Sequence, residues 1–371
     1  MQILVDYRPA LRARTGVGEY IHTLVGAYTA THNDDVTLFT SSWKDRPSPS
    51  VARELRARVV DRRVPVSVLN YLWHRWEWPY VETLAGEADV VHAAHPLLIP
   101  SRRAAQIITI HDLFFLQNPE RTRAEIRRDY AELSSSHARR ADAVITSSAH
   151  TQRLVNERLG VAVDRIYVCP PGAPTWQTLG RAPNTPRDGY VLFLGTLEPR
   201  KNLDVLLDAY AALLRGSRRF PRLVIAGGAS PDAQPWLRRI AHEPLKNHVH
   251  YRGYVAHEDR ESLYAGARAL LLPSLDEGFG LPVLEAMSAG VPVVTSNRGS
   301  LPEVVGSAGV LLEPGDVSAW ADTIERLASD AQWASDLANA GIVRARAFTW
   351  ERSAAELRRA YLDAIRRRRD R

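Results

Sequence analysis

A glycine-containing turn between an apolar run and a helix-like segment carries the most specific pattern in the chain, PSLDEGFGLPVLEA from position 273. Pro282 suits the first position of a helix, where its missing N–H costs nothing. Gly278 and Gly280 allow the backbone to approach a ligand closely, and a helix N-terminus favours a diphosphate. The pattern therefore predicts a diphosphate site, with Glu285 placed to accept hydrogen bonds from a ribose and Glu277 placed to contact a sugar.

Two adjacent cations follow the first apolar run of the second half, in the string GTLEPRKNL that begins at Gly195. Arg200 can bind a phosphate through two parallel donors, and Lys201 adds a point charge. Cations between the end of a strand and the start of a helix can neutralise a departing nucleoside diphosphate. The pair therefore predicts the cationic half of the same site.

Residues at the ends of apolar runs in the first half supply two further candidates. His111 ends the run ITIHD and is predicted to contact the transferred sugar. The string TGVG places Gly16 and Gly18 in a turn before a helix, where glycine backbone could approach a phosphate. Ile21 occupies the place of the third glycine of a dinucleotide fingerprint, and no acid ends the second apolar run, so NAD is not predicted.

Residue types for metal binding or covalent catalysis form no recognisable motif in the sequence. The aspartates make no pair at a strand end, the histidines lack the spacing of zinc ligands, and no nucleophile elbow occurs. Cys169 is the one cysteine, which excludes an intrachain disulfide and a cysteine-based zinc cluster and favours a reducing compartment. We therefore expect catalysis without a metal ion or another cofactor.

Short apolar runs alternate with longer helix-like segments, which is typical of parallel sheets covered by helices on both faces. The predicted strands are 3–6, 36–39, 90–93, 107–110, 143–146, 166–168, 190–194, 223–226, 249–252, 269–272, 292–295 and 309–312. The predicted helices are 18–31, 121–140, 202–214, 257–265, 282–289, 317–329, 332–347 and a last one from 351. The fold class is therefore α/β, with two Rossmann-like doubly wound domains.

Prolines divide the chain into its predicted domains. Residues 173–188 are rich in proline and poor in apolar periodicity, so they are predicted to be a linker between residues 1–172 and residues 189–350. Because doubly wound sheets bind ligands at the carboxyl ends of their strands, the two domains are expected to face each other across a cleft. Residues 351–371 are predicted to form a final helix with an apolar stripe and a basic tail.

The charge balance favours anionic partners. Lysine and arginine number 48 against 42 acidic residues, yet no nucleic-acid-binding motif accompanies them, so no nucleic-acid partner is predicted. The N-terminus lacks the pattern of a signal peptide, and no apolar run reaches the roughly 20 residues of a membrane span. We expect a cytoplasmic protein. The basic end of the last helix leaves open a peripheral contact with the anionic inner face of a membrane.

Taken together, the glutamate string, the Arg200-Lys201 pair, His111 and the Gly16/Gly18 turn resemble the retaining glycosyltransferases of family 4, which have the GT-B architecture. The resemblance covers nearly the whole chain in the expected order, including LVIAGG from position 223 and RGYV from position 252. It implies a nucleotide-sugar donor bound by the second domain, an acceptor side on the first domain and no required metal. It also implies that the last helix crosses back to the first domain.

The resemblance also assigns roles to residues. Arg200 and Lys201 would hold the diphosphate, Glu285 the ribose, and Glu277 and His111 the donor sugar, with His111, Glu277, Arg200 and Lys201 as the catalytic set. The remaining donor-binding residues would be Gly16, Gly18, Gly195, Tyr254, Val255, Gly278, Phe279, Gly280 and Leu281. Gly18 would lie near the phosphate, and the backbone at Tyr254 and Val255 would meet the base.

The resemblance leads to a functional expectation. The segment WHRWEWP from Trp73 resembles a stretch of bacterial mannosyl- or rhamnosyltransferases that build surface polysaccharides. We expect transfer of a hexose, with mannose from GDP-mannose as the first choice, to a glycan or lipid-linked saccharide. The aromatic segment could contact that acceptor or pack under a loop. Two other interpretations remain, a sugar-nucleotide epimerase of the same architecture and a catalytically silent protein that binds nucleotide-sugars.

Overall fold

The computed structural model describes residues 1–11, 16–117, 129–174, 176, 189–216 and 220–371. They belong to two compact units, one formed by Met1–Gly172 with Thr349–Arg371 and the other by Ala173–Phe348. Most of the predicted linker, residues 173–188, lies outside the described residues. Among the described helices, none has both the length and the apolarity that crossing a membrane requires.

A parallel sheet lies at the centre of the first unit. Its described strands are β1 Gln2–Asp6, β2 Asp35–Ser41, β3 Arg58–Arg62, β4 Val90–Ala93, β5 Ala105–Ile110, β6 Ala143–Thr146 and β7 Ile166–Val168. Across the sheet their order is β3-β2-β1-β4-β5-β6-β7. The strands β4, β5 and β6 are buried along their whole length, as expected for parallel strands covered on both faces. The strand order changes direction between β1 and β4, which makes this the topological switch point of the sheet.

Helices cover the sheet of the first unit. The described ones are α1 Gly16–Thr31, α2 Val51–Glu54, α3 Val66–Trp76, α4 Val81–Ala85, α5 Phe114–Gln117, α6 Ala131–Arg140 and α7 Ala149–Leu159. Short 3-10 turns span Arg8–Ala10 and Val163–Arg165. Of the predicted helix 121–140, residues 121–128 lie outside the described residues and α6 covers most of the rest.

The predicted turn at Gly16 and Gly18 is wrong, because α1 already begins at Gly16. A packing contact explains the glycine at position 18. A Cβ atom on Gly18 would lie 2.7 Å from the carbonyl oxygen of Pro9. The absence of a side chain thus lets the first turn of α1 pack against the 3-10 turn that follows β1.

The second unit repeats this architecture with a smaller parallel sheet. Its described strands are β8 Tyr190–Leu194, β9 Leu223–Ala226, β10 Val249–Gly253, β11 Ala267–Leu272, β12 Val293–Ser296 and β13 Val310–Leu312, in the order β10-β9-β8-β11-β12-β13. The described helices are α8 Leu203–Arg215, α9 Gln234–Ile240, α10 Arg260–Ala265, α11 Leu281–Ser288, α12 Leu301–Val305, α13 Val317–Ser329 and α14 Ala331–Ala345. Here the switch point lies between β8 and β11.

The last helix, α15 Trp350–Arg369, belongs to the first unit, which confirms the predicted return of the chain to that domain. Its buried stripe includes Ala354, Leu357, Tyr361 and Ala364 and joins the core formed with α1 and the sheet. The ring of Tyr361 packs edge-on against Tyr28, with 5.5 Å between ring centroids. The apolar stripe that the sequence shows is therefore used for packing within the unit.

Candidate active site

The two motifs singled out in the second half of the sequence meet at the switch point of the second unit. Arg200 and Lys201 follow β8, and Glu277 follows β11, the strand that neighbours β8 in the sheet. The backbone N–H of Leu275 donates to the carbonyl oxygen of Arg200 at 2.8 Å, so the two connecting segments are joined directly. This edge of a doubly wound sheet is where such folds bind ligands.

The cation segment has a defined local structure. Residues Pro199–Lys201 form a 3-10 turn, and Asn202 adopts the left-handed conformation that ends it (φ 52°) before α8 begins. The side-chain Nδ2 of Asn202 donates to the carbonyl oxygens of Pro273 at 3.2 Å and Pro314 at 2.7 Å. These bonds fix the turn, so the two cationic side chains leave it in set directions.

Glu277 is the centre of a charged cluster. Lys201 Nζ donates to Glu277 Oε1 at 2.5 Å, and Ser274 Oγ donates to the same oxygen at 2.7 Å. Arg200 Nη1 lies 3.6 Å from Glu277 Oε2. Burial alone would raise the pKa of Glu277, but the charges of Lys201 and Arg200 outweigh burial and lower it. The carboxylate is therefore ionised at neutral pH and holds the ammonium group in place.

A second carboxylate completes the cluster. Arg200 Nη2 donates to Glu198 Oε1 at 2.9 Å. Glu198 and Glu277 thus pair with both cationic side chains. The cationic groups are thus positioned before any donor is bound, and a diphosphate would enter a site whose positive side chains need little rearrangement.

Glycines shape the backbone around Glu277. Gly280 caps α11 in a left-handed conformation (φ 98°), and a Cβ there would lie 2.8 Å from Leu301 Cδ2. Gly299 is also left-handed (φ 61°), and a Cβ there would lie 2.5 Å from the backbone nitrogen of Glu277. The N–H and the hydroxyl of Ser300 donate to the Glu277 carbonyl at 3.0 and 2.9 Å. The glycines therefore allow a tight turn that presents the N-terminus of α11.

Three other predicted donor residues lie in or beside this turn. Gly278 precedes Phe279, whose ring is buried and packs edge-on against Phe348 at 5.7 Å between centroids. The Phe279 side chain therefore belongs to the core, and the proposed contact of this residue with a donor stays a prediction. Leu281 is the first residue of α11 and is half-buried.

Glu285 is buried one turn into α11, and two side chains of α10 bind its carboxylate. Arg260 Nη1 donates to Oε1 at 2.8 Å, and the Tyr264 hydroxyl donates to Oε2 at 2.8 Å. Burial raises the pKa of Tyr264 well above its usual range, with the neighbouring Glu285 charge adding to the effect. Tyr264 therefore stays a neutral hydrogen-bond donor.

Two more predicted positions lie at the carboxyl edge of the same sheet. The N–H of Gly195 donates to the Ala226 carbonyl at 3.0 Å, and a Cβ at Gly195 would lie 3.6 Å from Lys201 Cε. Tyr254 and Val255 follow β10, with Tyr254 exposed and Val255 buried. Their proposed contact with a base stays a prediction.

The predicted residues of the first half lie in the first unit. The ring of His111 packs edge-on against Tyr20, with 5.0 Å between centroids. Its Nε2 atom is buried and has no hydrogen-bond partner within the part of the chain that the structure describes. Burial lowers the pKa of His111 to about 4, so the ring is neutral at pH 7. Its role toward a sugar stays a prediction, as does that of Gly16 and Gly18 toward a phosphate.

The structure also shows a polar cluster that the sequence did not reveal, at the switch point of the first unit. Buried Asp6 at the end of β1 binds Arg8 through two bonds of 2.8 Å, from Nε and Nη2. Nε2 of His95, which follows β4, lies 3.3 Å from Asp6 Oδ2. Arg8 holds the pKa of Asp6 well below its usual range despite burial. The sequence feature that could have predicted this cluster is Asp6, an acidic residue at the end of an apolar run.

Among the described side chains, no group of three or more histidines, cysteines, aspartates and glutamates is arranged to hold a metal ion.

Comparison with known proteins identifies the family. The model described as Glycosyltransferase Family 4 matches residues 14–177, and that described as Glycosyl transferases group 1 matches residues 188–330. The O-antigen chain mannosyltransferase B of Escherichia coli is 31% identical over an alignment covering 97% of this chain and 99% of that protein. The chain belongs to glycosyltransferase family 4. It is therefore a transferase, as the sequence predicted.

Other relatives align with this chain over part of their length. A serotype-specific mannosyltransferase of Escherichia coli is 29% identical over 67% of this glycosyltransferase and 32% of that protein. This chain thus spans about a third of that relative's length. The D-inositol 3-phosphate glycosyltransferase of Stackebrandtia nassauensis is 32% identical over 62% of this chain and 55% of that protein.

Solved structures share the fold of this glycosyltransferase. Sucrose-phosphate synthase of Thermosynechococcus elongatus superposes with a TM-score of 0.78 at 21% identity, covering 97% of this chain and 98% of that chain. WaaG, a glycosyltransferase involved in lipopolysaccharide biosynthesis, superposes with a TM-score of 0.73 at 15% identity, covering 95% and 98%. The predicted α/β fold with two Rossmann-like domains is therefore confirmed.

Proposed function

We propose that this glycosyltransferase moves a mannosyl residue from GDP-mannose, with retention of anomeric configuration, to a glycan or lipid-linked saccharide in polysaccharide biosynthesis. The observation that carries the proposal is the similarity to an O-antigen chain mannosyltransferase over 97% of this chain and 99% of that relative. The geometry of the second unit supports the reaction class, since it gathers two cations and a helix N-terminus at one switch point.

The proposed chemistry relies on stabilising the leaving group. As the bond between the anomeric carbon and the diphosphate oxygen breaks, its electron pair moves to the diphosphate. Arg200, Lys201 and the positive end of the α11 dipole would stabilise that charge, an electrostatic contribution that is often the largest in catalysis. The acceptor oxygen bonds to the anomeric carbon on the face that the diphosphate leaves, and its proton passes to a departing phosphate oxygen.

The carboxylates and His111 would position the donor rather than react with it. Glu277 already binds Lys201 and could accept a hydrogen bond from a sugar hydroxyl through its remaining lone pairs. His111 is neutral at pH 7, so it would offer a neutral hydrogen bond to the sugar and no positive charge. The chain's own cations also lead us to propose that transfer requires no metal ion.

We propose a location at the cytoplasmic face of a membrane, where a lipid-linked acceptor would be found. The basic end of α15 supports a weak peripheral contact with anionic lipid, although Arg367 and Arg371 are already bound by Asp164 and Asp142 of the same unit. Flotation with anionic vesicles at low salt tests this, and unbound protein would exclude the contact.

The test of the function follows nucleoside diphosphate release from GDP-, UDP-, dTDP- and ADP-sugars, with and without mannooligosaccharide acceptors and with EDTA. We expect turnover of GDP-mannose that depends on the acceptor, survives EDTA and yields an α-linked product by NMR. Release that needs no acceptor would indicate an epimerase. Binding without turnover would indicate a silent nucleotide-sugar binding protein.

Substitution of Lys201 tests the proposed site. Lys201→Ala removes one of the two cations, and we expect kcat to fall by about 10²–10³-fold, as for loss of one preorganised electrostatic contact. Lys246→Ala, at an exposed lysine of the same unit, is the matched control and should keep wild-type rates. If Lys201→Ala folds and stays within a few-fold of wild type, the diphosphate clamp is wrong.

A further inference from the structure

Three large aromatic side chains of the first unit are exposed close together on α3 and the turn that follows it. Tyr71, Trp76 and Trp78 have exposed fractions of 50%, 66% and 59%. The rings of Tyr71 and Trp76 contact each other edge-on, with 6.0 Å between centroids. We call these three residues the aromatic patch. Large exposed apolar side chains that contact one another mark an interaction site more often than singly scattered ones do.

Contacts of the intervening residues hold the aromatic patch in place. Trp73 is buried, and its Nε1 donates to the Pro79 carbonyl at 2.9 Å, which closes the turn after α3. Glu77 adopts a left-handed conformation (φ 49°) and accepts two hydrogen bonds from Arg140, at 2.6 and 2.9 Å. The residues between the exposed rings are thus tied to the domain, so the rings are presented on a fixed segment.

The buried face of α3 connects the aromatic patch to the switch point of the first unit. Asn70 Oδ1 accepts a hydrogen bond of 2.8 Å from Arg8 Nη1, and the Arg8 guanidinium lies 4.8 Å from the centroid of the Trp73 ring. Arg8 in turn binds Asp6 at the end of β1. Because ligands of such sheets bind at the switch point, a chain bound there could continue over α3.

The charges around the aromatic patch indicate what it binds. Two ion pairs flank the rings, Arg75 with Glu132 at 3.2 Å and Arg140 with Glu77 at 2.6 Å. Each pair is neutral, so these two pairs add no net charge beside the rings that would attract an anionic lipid surface. It does offer flat apolar rings beside exposed hydrogen-bond donors and acceptors, which suits a neutral, hydroxyl-rich sugar ring whose C–H face can stack on an indole.

We propose that the aromatic patch binds sugar rings of a neutral glycan acceptor, away from the residue that receives the new sugar. The inference rests on the proposed function, since it assumes that the acceptor is a growing glycan. Such a site would make acceptor affinity rise with chain length. It would leave binding of the nucleotide-sugar unchanged, because none of the proposed donor-binding residues belongs to the aromatic patch.

The test compares the double variant Trp76→Ala/Trp78→Ala with wild type by calorimetric titration of mannohexaose, maltohexaose and the corresponding methyl glycosides. Trp43→Ala removes a tryptophan of the same unit that is 71% exposed, and it is the matched control. We expect wild type and the control to bind at least one hexasaccharide more tightly than its methyl glycoside. In the double variant, the ratio of hexasaccharide affinity to methyl-glycoside affinity should fall about tenfold. A fall of that size corresponds to the loss of one or two stacking contacts.

The proposal is overturned if neither hexasaccharide binds wild type more tightly than its monosaccharide, or if the double variant keeps the full gain. Flotation with anionic and zwitterionic vesicles runs alongside, and loss of vesicle binding in the double variant but not in Trp43→Ala would assign the patch to a membrane instead. Thermal melting checks that the variants fold. Diphosphate release from GDP-mannose is measured separately, so a failed mannosyl transfer with intact glycan binding would reject the proposed function and leave the patch standing.

Discussion

The carboxylate of Glu285 is held from two sides, by a guanidinium on Oε1 and a phenol hydroxyl on Oε2, both from α10. A carboxylate oxygen has more than one acceptor site, so each oxygen can still receive a ribose hydroxyl. The two α10 side chains therefore set the orientation in which Glu285 meets a ribose. We infer that Arg260 and Tyr264 are positioning residues that act through Glu285.

Tyr264→Phe tests that role with almost no change of shape. Loss of a hydrogen bond to a buried charged group costs about 1.5–3 kcal/mol, so we expect the donor KM to rise roughly tenfold or more while kcat changes little. A 2′-deoxyribose donor analogue should respond less, because it makes fewer contacts with Glu285. Tyr210→Phe, which removes a buried hydroxyl bound to Pro221 in the same unit, is the control. An equal effect on ribose and deoxyribose donors would contradict the positioning role.

The contrast between predicted and missed site residues has a physical cause. Arg200, Lys201 and Glu277 stand within short strings whose strand-to-helix context is visible locally, and the sheet order then brings those strings together. Arg260 and Tyr264 lie on another element and reach Glu285 only through the packing of α10 beside α11. Arg260 and Tyr264 are four residues apart, so they lie on one face of α10. Many pairs of residues on helix surfaces have this spacing, so it does not identify a site.

Among the structural elements, the turns after β8 and β9 are in close backbone contact, which leaves no room for a side chain between them. Gly227 has a positive φ of 138°, and a Cβ there would lie 1.9 Å from the carbonyl oxygen of Gly195. Its N–H donates to the Gly253 carbonyl at 2.7 Å, and its carbonyl accepts the Tyr251 hydroxyl at 3.0 Å. The turn that precedes Arg200 and Lys201 is thus supported by a neighbouring turn that requires glycine.

Gly227→Ala should therefore be strongly destabilising. The strained conformation and the backbone clash together are expected to cost about 3 kcal/mol or more, measured by urea unfolding. Gly228→Ala is a close control, since no atom lies within 4 Å of a Cβ there and its φ is outside the positive region. We expect Gly228→Ala to stay within about 0.5–1 kcal/mol of wild type. Equal stability of the two variants would show that the turns can separate without cost.

The sequence predicted most of the sheet because buried parallel strands are continuous apolar runs. Strands 90–93, 143–146, 166–168, 190–194 and 223–226 agree with the structure at both ends. β3 was missed because it is an edge strand, RVVDR, with charged residues at its ends and partial burial in between. The error at Gly18 arose because a glycine required by packing looks the same in a sequence as a glycine required by a turn.

At the scale of the whole molecule, buried histidines are confined to the first unit. Burial lowers the pKa of His74, His111 and His137 to about 4 and of His92 to about 3. The second unit's histidines, His242, His248, His250 and His257, are all exposed. The two units should therefore respond differently to mild acid.

Proton linkage gives the direction in which the stability of the first unit changes with pH. An unfolded histidine titrates near its usual pKa of about 6.5, whereas these four stay neutral in the folded unit until about pH 4 or below. Between those limits the unfolded chain binds more protons, so the first unit loses stability as the pH falls from 7 to 5, by about 2 kcal/mol per histidine. The lowered pKa of Asp6 does not change this expectation. Asp6 keeps its contribution to stability between pH 7 and pH 5 and loses it only at lower pH.

Hydrogen exchange can be measured at increasing urea concentrations at pH 7 and pH 5, with the intrinsic exchange rates corrected for pH. Because each peptide belongs to one unit, the stability of each unit is obtained separately. We expect peptides from β4, β5 and β6 to exchange at lower urea at pH 5, and peptides from β8, β9 and β11 to shift much less. The second unit serves as the internal control because none of its histidines is buried. Equal shifts in both units would mean that His74, His92, His111 and His137 take up protons without unfolding, and that their surroundings do not suppress protonation.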